Sequence, residues 1–393
     1  MKKSLTIHRL RKLVTLIPRQ VRLTMFTVVF GLLGVTIMLA AHAATPKASI
    51  EPETGVRSGG ATLTTSSTAS GGKAIQFGSV AGGCTNPTVS AILVPSCGVW
   101  LGGFANDHPP ASTFRERIED HEARIGRQLS FVHSYHQPTD TGLNTDDKYF
   151  INRANTYLLT NWKPASVWAD GGGGNSTVNS RILSWANSIK SVAPKKVMLI
   201  IAHEPENDVT SGGTGCSVSY VGNSGTPTEY RAMWQNVRNI FDGAGVTNVV
   251  WAVNYMSATK WICLRDDLWP GNNLVDWVLF NQYPGDGDTF TSAMGEMNDW
   301  LVNNSDATHN YASKPFGIGE WGSWMTNSSK TYQLYDNAAT ALAAGQLPNI
   351  KLYTVFDAIG VNNSRIDFDD QNNPDATELQ HYSDFARSPG LIQ

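Results

Sequence analysis

From Cys97 onward, short apolar runs alternate with longer amphipathic segments, and this alternation constrains the fold more than any other feature of the 393-residue chain. Eight runs have the length of strands. They are Cys97–Phe104, Leu129–His136, Tyr157–Trp162, Val197–His203, Val249–Asn254, Trp277–Tyr283, Phe316–Trp321 and Leu352–Phe356. Runs that are apolar along most of their length are typical of parallel strands covered on both faces.

Several segments between these runs repeat their apolar residues at the 3.6-residue spacing of a helix. One follows a capping box of Thr226 and Glu229, with Pro227 at the first helical position. A second capping box pairs Thr113 with Glu116. The apolar faces predicted for three helices are Phe114, Ile118 and Ile125; Val178, Ile182, Trp185 and Ile189; and Tyr230, Met233, Trp234, Val237, Ile240 and Phe241.

Eight strands that alternate with helices over about 290 residues predict an α/β fold, a (β/α)₈ TIM barrel. The competing architecture is an open, doubly wound sheet, whose first strand is normally followed by a glycine-rich phosphate-binding turn. Here the first strand runs into Leu101-Gly102-Gly103-Phe104-Ala105-Asn106, and no G-x-G-x-x-G follows. The barrel is therefore the better prediction.

The N-terminal residues 1–43 have the composition of a signal peptide. Seven Lys or Arg lie between Lys2 and Arg22, and the apolar stretch Met25–Ala41 precedes the small-residue pattern Ala41-His42-Ala43. An uncleaved membrane anchor is the alternative, because about 17 apolar residues is close to the length that spans a bilayer. In either case we expect a secreted or extracellular protein.

The residues after the signal segment divide into two parts. Residues 44–83 are rich in Gly, Ser and Thr and predict a tether with room for one strand pair. Residues 84–393 form the predicted barrel domain. Export permits disulfides, and of the three pairings that four cysteines allow we expect Cys84–Cys97 and Cys216–Cys263.

Composition excludes some partners. A net charge of -3 and a pI near 6.3 give no basic surface for nucleic acid. Only 16% of residues are charged, whereas 12 are Trp and 12 are Tyr, which suits a neutral ligand with apolar ring faces. We expect a monomer without cofactor or metal, since the H-E-x-x-H zinc pattern fails at Asn207 and no C-x-x-C spacing occurs.

Two glutamates end predicted strands. Glu204 follows the fourth strand in LIIAHEPEN, and Glu320 lies near the end of the seventh in FGIGEWGSW. Barrel enzymes place their catalytic groups at the carboxyl ends of strands, so both carboxylates are expected in one pocket. Two facing carboxylates are the apparatus of glycoside hydrolysis. Other polar residues at predicted strand ends, which could bind sugar hydroxyls, are His133, Tyr135, His136 and Asn254.

Residues Cys97 to Ser388 resemble glycoside hydrolase family 26. The resemblance lies in the pair His203-Glu204, the turn Gly319-Glu320-Trp321, Tyr283 in LFNQYP and Trp162 in LLTNWKP. It implies a retaining mechanism with Glu204 as acid/base and Glu320 as nucleophile. It also implies that Trp162 lies in or near the glycone subsite and Tyr283 near the nucleophile. From their positions at strand ends we expect His203, Trp162, Tyr283 and Trp321 to contact the substrate, with Trp324 as a further stacking face.

The resemblance implies a β-linked polysaccharide as substrate, foremost β-1,4-mannan cleaved internally. The sequence departs from the family at two places beside the acid/base, where Ala202 replaces an Arg and Pro205-Glu206-Asn207 replaces Met-Asn-Gly. Three alternatives stay open. They are a mixed-linkage β-glucanase or β-1,3-xylanase, another barrel glycosidase of the same clan, and a catalytically silent barrel that binds polysaccharide.

Overall fold

A computed structural model describes residues 21, 62–65, 73–76, 84, 86–106, 111–210, 222–359, 364–369 and 371–392. The chain divides into two compact units, residues 1–78 and 79–393. In the first unit, β1 (Thr62–Thr65) pairs antiparallel with β2 (Lys73–Gln76), as the tether prediction allowed. The proposed signal segment falls outside the described residues apart from residue 21. Within the described part of the chain, no helix has the length and apolar character needed to cross a membrane.

The second unit contains a closed barrel of eight parallel strands, in which each strand pairs with the next and the last pairs with the first. The strands are β3 (Trp100–Ala105), β4 (Phe131–His136), β5 (Tyr157–Trp162), β6 (Val197–Ile201), β7 (Val249–Met256), β8 (Trp277–Gln282), β9 (Phe316–Trp321) and β10 (Ile350–Asp357). All eight predicted strands are confirmed, with ends that differ by at most a few residues. The fold is a (β/α)₈ TIM barrel.

Helices connect the strands and cover the outside of the barrel. They are α1 (Phe114–Ile125), α2 (Thr145–Asn152), α3 (Ser176–Lys190), α4 (Pro205–Asp208), α5 (Pro227–Gly243), α6 (Ile262–Arg265), α7 (Phe290–Asn303), α8 (Ser328–Ala343) and α9 (Ala376–Ala386). Both predicted capping boxes are present, at Thr113 before α1 and at Thr226 before α5. The predicted faces of α3 and α5 are buried, apart from the half-buried Ile240.

Alternate strand residues face two different cores. The inner core fills the barrel with side chains such as Phe131, Leu159, Met198 and Leu279. The outer core lies between strands and helices and is much larger. Because side chains alternate along a strand, the inner face continues toward the carboxyl ends of the strands. There it becomes polar, and the residues are His133, Tyr135, Asn161, Asn254 and Asn281.

The segment before β3 closes the amino-terminal end of the barrel. The predicted disulfide Cys84–Cys97 is confirmed and ties this segment together. The indole Nε1 of Trp100 donates to Leu93 O at 2.9 Å, and that of Trp277 donates to Ile92 O at 2.6 Å. Cys263 is also disulfide-bonded, while Cys216, its predicted partner, lies outside the described residues.

Candidate active site

Glu204 is presented by an unusual backbone after β6. Ala202 and Glu204 both adopt a φ of 49°, a left-handed conformation that costs energy for residues other than glycine. Neighbouring strands hold this turn, since Ala202 N donates to Trp162 O and Glu204 N donates to Asn254 O, both at 2.9 Å. The short helix α4 then begins at Pro205. The turn brings the Glu204 carboxylate over the end of the barrel.

Glu320 reaches the same place through a bulge in β9. Phe280 of β8 lies opposite Ile318, but the next residue, Asn281, lies opposite Glu320, so Gly319 is an extra residue. The bulge turns Glu320 to the side that Asn281 faces. A side chain at Gly319 has no room, because a Cβ there would lie 1.9 Å from Asn254 Oδ1.

Asn281 lies between the two carboxylates. Its Nδ2 donates to Glu204 Oε1 at 2.9 Å, and its Oδ1 accepts from Asn254 Nδ2 at 3.0 Å. The bond from Asn254 fixes which end of the Asn281 amide faces the acids. Among the described residues, the other oxygen of Glu204, Oε2, accepts one long bond of 3.4 Å from Asn207 Nδ2.

Glu320 is buried and accepts hydrogen bonds from two phenolic hydroxyls. Tyr135 donates to Oε1 at 2.7 Å and Tyr283 donates to Oε2 at 2.9 Å. The His203 Nε2 lies 4.0 Å from Oε1. Both oxygens of Glu320 therefore already have donors, which favours the ionised form of this carboxyl.

Burial and the nearby charge of Glu204 raise the pKa of Glu320 to about 7, against the opposing effect of its hydroxyl donors. Burial also raises the pKa of Glu204. Two interacting carboxyls titrate as a pair, so the first proton that they bind is shared between them. We assign that proton to Glu204 Oε2, because both oxygens of Glu320 are occupied by hydroxyl donors. The pair then consists of a protonated Glu204 and an ionised Glu320.

His203 is a neutral neighbour of this pair. Burial, followed by the charge of Lys163, lowers the pKa of its imidazole to about 3. Lys163 itself forms an ion pair with Asp208 at 2.8 Å. At neutral pH His203 thus adds hydrogen-bonding capacity to the site but no charge.

Two cavities meet at Glu320. One, of about 320 Å³, is lined by both Glu204 and Glu320, by Tyr283 and by Trp324. The Trp324 indole is 40% exposed and stacks on Tyr283 with ring centroids 4.9 Å apart. The other cavity, of about 590 Å³, is lined by Glu320 and His203 but not by Glu204. These volumes are in the range of small-molecule sites.

Several residues predicted from sequence meet here. Glu204, Glu320, His203 and Tyr283 line the two cavities, as does Trp324. Asn254 contacts the site through two of its residues: its Nδ2 donates to Asn281 Oδ1, and its backbone O accepts from Glu204 N. It is 1% exposed, so its effect on the site passes through those two partners.

Three predicted substrate-binding residues lie elsewhere. Trp162 is fully buried and stacks on Trp185 in the outer core at 4.7 Å. His136 also faces outward, with its ring nitrogens 3.2 Å from Asp140 and 2.9 Å from Asp147. The bulge that turns Glu320 inward leaves Trp321 in the outer core, where it contacts four aromatic rings of the surrounding core. They are Phe290, Tyr335, Tyr353 and Phe385.

Sequence reasoning missed Asn281 and Asn207, which bind the two oxygens of Glu204. The signal for Asn281 was its position near the end of β8, two residues before Tyr283. The sequence drew attention to Asn207 as the residue that breaks a zinc pattern and as part of a departure from the family, but not as a partner of Glu204. Among the described residues, no group of three or more His, Cys, Asp and Glu side chains is arranged to hold a metal ion.

No protein-family model and no curated protein matches this chain. Solved structures do match it. The catalytic domain of a GH26 endo-β-1,4-mannanase from Bacillus sp. JAMB-750 has a TM-score of 0.51 at 13% identity, covering 75% of this chain and 87% of that chain. GH26C from Muricauda sp. gives the same values. A ruminal GH26 endo-β-1,4-mannanase has a TM-score of 0.51 at 12% identity, covering 75% of this chain and 64% of that chain, which is less than two thirds. At these identities the likeness shows a shared barrel fold.

Proposed function

We propose that the chain is an exported, retaining glycoside hydrolase of the family 26 type that cleaves a β-linked polysaccharide. Glu204 acts as the acid/base and Glu320 as the nucleophile. The observation that carries this proposal is that both carboxyls line one cavity. Glu204 is held there by Asn281, which Asn254 orients in turn. Glu204 accepts from the amides of Asn281 and Asn207, whereas Glu320 accepts from two phenolic hydroxyls. This difference supports Glu204 as the acid/base and Glu320 as the nucleophile.

In the first step, ionised Glu320 attacks the anomeric carbon while Glu204 gives its proton to the glycosidic oxygen, which leaves with the rest of the chain. A covalent glycosyl-enzyme results. In the second step, Glu204 takes a proton from water, and the oxygen of that water displaces Glu320 from the anomeric carbon. The products carry the original anomeric configuration, and both acids return to their starting states.

The proposed substrate is a β-1,4-mannan or a related β-linked polymer cut internally. The sequence resemblance and the shared fold with two endo-β-1,4-mannanases support this choice. The two cavities that meet at Glu320 leave space for sugar units on both sides of the reacting bond. The stacked pair of Tyr283 and Trp324 offers an aromatic surface to a sugar ring.

The test is release of reducing sugar from galactomannan, glucomannan, mixed-linkage β-glucan, β-1,3-xylan and β-1,4-xylan. Wild type is expected to cleave one of these polymers, and Glu320→Ala to cleave none. Glu204→Ala should retain the first step on aryl glycosides with a good leaving group, because such groups depart without acid assistance. Wild-type rates in both variants would refute the proposal. Binding of one polymer without cleavage of any would favour the silent barrel.

A further inference from the structure

The arginine of the larger cavity differs from its neighbours on α1. Arg115 pairs with Glu119 at 3.0 Å, and Arg124 pairs with Asp120 at 2.6 Å. Arg117 has no carboxylate partner among the described residues. Its one hydrogen bond to a described residue is a long one of 3.4 Å, in which Nη1 donates to Ser112 O. Its Nε is buried without a partner among the described residues. Arg117 is half-buried, and its Nε is the N–H group held away from water without a partner, which is costly unless something binds it.

The surroundings of Arg117 suit a sugar unit. The 590 Å³ cavity brings it together with the neutral polar side chains Asn106, Gln137 and Asn144. Aromatic walls come from Phe104, Phe114 and Phe356. Among the described lining residues, Glu320 is the one acid, and it is held by Tyr135 and Tyr283. The described part of the wall therefore leaves the charge of Arg117 without an ion-pair partner.

The proposed mechanism, on which this inference rests, fixes which part of the substrate lies here. Glu204 protonates the departing oxygen, so the leaving chain must lie in the cavity that Glu204 lines. The larger cavity is lined by the nucleophile Glu320 but not by Glu204. It therefore receives the glycone, the part of the substrate that becomes bound to the enzyme.

We propose that Arg117 binds a carboxylate on the glycone, so that the preferred substrate carries uronic acid units on this side of the cleaved bond. Guanidinium N–H groups match the two oxygens of a carboxylate, and such charge-assisted pairs are stronger than bonds to neutral hydroxyls. Arg117 is then a specificity-determining residue that separates acidic from neutral glycones.

The test is a binding measurement on two matched ligand pairs that differ only at C6. One pair is mannotetraose and β-1,4-linked tetramannuronate, and the other is cellotetraose and its C6-oxidised counterpart. Titration calorimetry in the inactive Glu320→Gln background removes turnover. We expect the acidic member of one pair to bind on the order of tenfold more tightly than the neutral member. Added salt should shrink that preference.

Arg117→Gln in the same background should abolish the preference and leave the affinity for the neutral member within about twofold. Arg115→Gln, on the same helix but paired with Glu119, is the matched control and should retain the preference. Equal binding within both pairs, a preference that survives Arg117→Gln, or no binding of either pair would overturn the assignment.

Failure of the proposed hydrolysis has a separate readout. If the wild-type protein releases no reducing sugar from any polymer while the Arg117-dependent preference persists, the catalytic proposal is wrong and the carboxylate site stands. If hydrolysis occurs with equal rates on a neutral polymer and its C6-oxidised form, and Arg117→Gln slows both equally, the carboxylate site is wrong and the catalytic proposal stands.

Discussion

Glu320 combines two opposing influences on one carboxyl. Burial and the Glu204 charge favour the protonated form, whereas the hydroxyls of Tyr135 and Tyr283 favour the ionised form. In the proposed mechanism Glu320 must be ionised to attack, and the two hydroxyls favour that form near neutral pH. They also orient its oxygens toward the cavity.

Tyr283→Phe should therefore shift the pH dependence of catalysis. Loss of one donor raises the pKa of Glu320 further, so the acid limb of kcat/KM should move to higher pH. At pH ~6 the variant should lose on the order of tenfold in kcat/KM, the worth of one hydrogen bond to a charged group. Tyr149→Phe, whose hydroxyl binds Glu119 on the outside of the barrel, should match wild type. An unchanged acid limb in Tyr283→Phe would contradict this role.

The choice of the two proposed catalytic acids from sequence depended on residue type and position alone. Strand ends followed by Gly or Pro were enough to select Glu204 and Glu320, and the structure places both on one cavity. Asn281 was missed because its importance lies in pairwise contacts. Its amide is useful only when Asn254 orients it and Glu204 lies within reach, and neither fact can be read from the strand that contains it.

At the scale of the strand, the side that a residue faces decides its role. Trp162 and His136 have the right chemistry for sugar binding, but each lies one position away from an inward-facing residue, Asn161 and Tyr135. A parallel strand that is apolar on both faces gives little sequence evidence of which face points inward. The register of neighbouring strands supplies that information, so these two predictions required the structure.

The bulge at Gly319 is the feature of β9 on which Glu320 depends. Gly319→Ala would place a Cβ 1.9 Å from Asn254 Oδ1 and 2.9 Å from Asn281 Oδ1. We expect a loss of stability of roughly 1–3 kcal/mol, as for other overpacked sites, together with a large loss of kcat. Gly243→Ala, in open space at the end of α5, is the control. Urea unfolding and kinetics of both variants check this, and wild-type activity in Gly319→Ala would show that the bulge does not position the acid.

The disulfide-linked segment at the other end of the barrel should affect stability but not catalysis. Cys84 and Cys97 are 13 positions apart. A disulfide that closes a loop of that size adds about 3 kcal/mol to the free energy of unfolding. The double variant Cys84→Ser/Cys97→Ser should lower the free energy of unfolding by roughly that amount. Its kcat/KM at 25 °C should stay within about twofold of wild type, since the site lies at the opposite end. A large drop in kcat/KM without unfolding would contradict this separation.

At the scale of the whole molecule, buried acids make stability depend on pH. Burial raises the pKa of Glu206 to about 8, and burial followed by the charge of Asp375 raises that of Glu378 to about 9. In the unfolded chain both groups lose their protons near pH ~4.5. Between pH 7 and 9 the folded state therefore holds protons that the unfolded state has lost, so rising pH favours unfolding.

The free energy of unfolding should fall between pH 7 and 9. Glu206→Gln/Glu378→Gln should reduce that fall by roughly 1–3 kcal/mol, because neither amide titrates. Glutamine at 206 keeps an oxygen that can accept from Met256 N, as Glu206 Oε1 does at 3.0 Å. Urea midpoints at three pH values check the prediction. Parallel pH dependence in wild type and double variant would show that these acids do not control alkaline stability.

The barrel as a whole was predictable because its evidence is repeated eight times. Each strand alone was a short apolar run that a buried helix could also contain, but eight of them at regular intervals between amphipathic segments fit few other folds. Local details that depend on one residue, such as the left-handed turn at Glu204 or the bulge at Gly319, have no such repetition. They were seen only in the structure.

The most direct test of the double-displacement mechanism is to trap the covalent intermediate. Glu204→Ala should accept a dinitrophenyl β-glycoside of the sugar that the polymer panel identifies, release the phenol in a rapid burst, and then hydrolyse slowly for lack of a base. Mass spectrometry of the quenched protein should show one added glycosyl group, and peptide mapping should place it on Glu320. A label on another residue, or no label with a product of inverted configuration, would contradict the assignment.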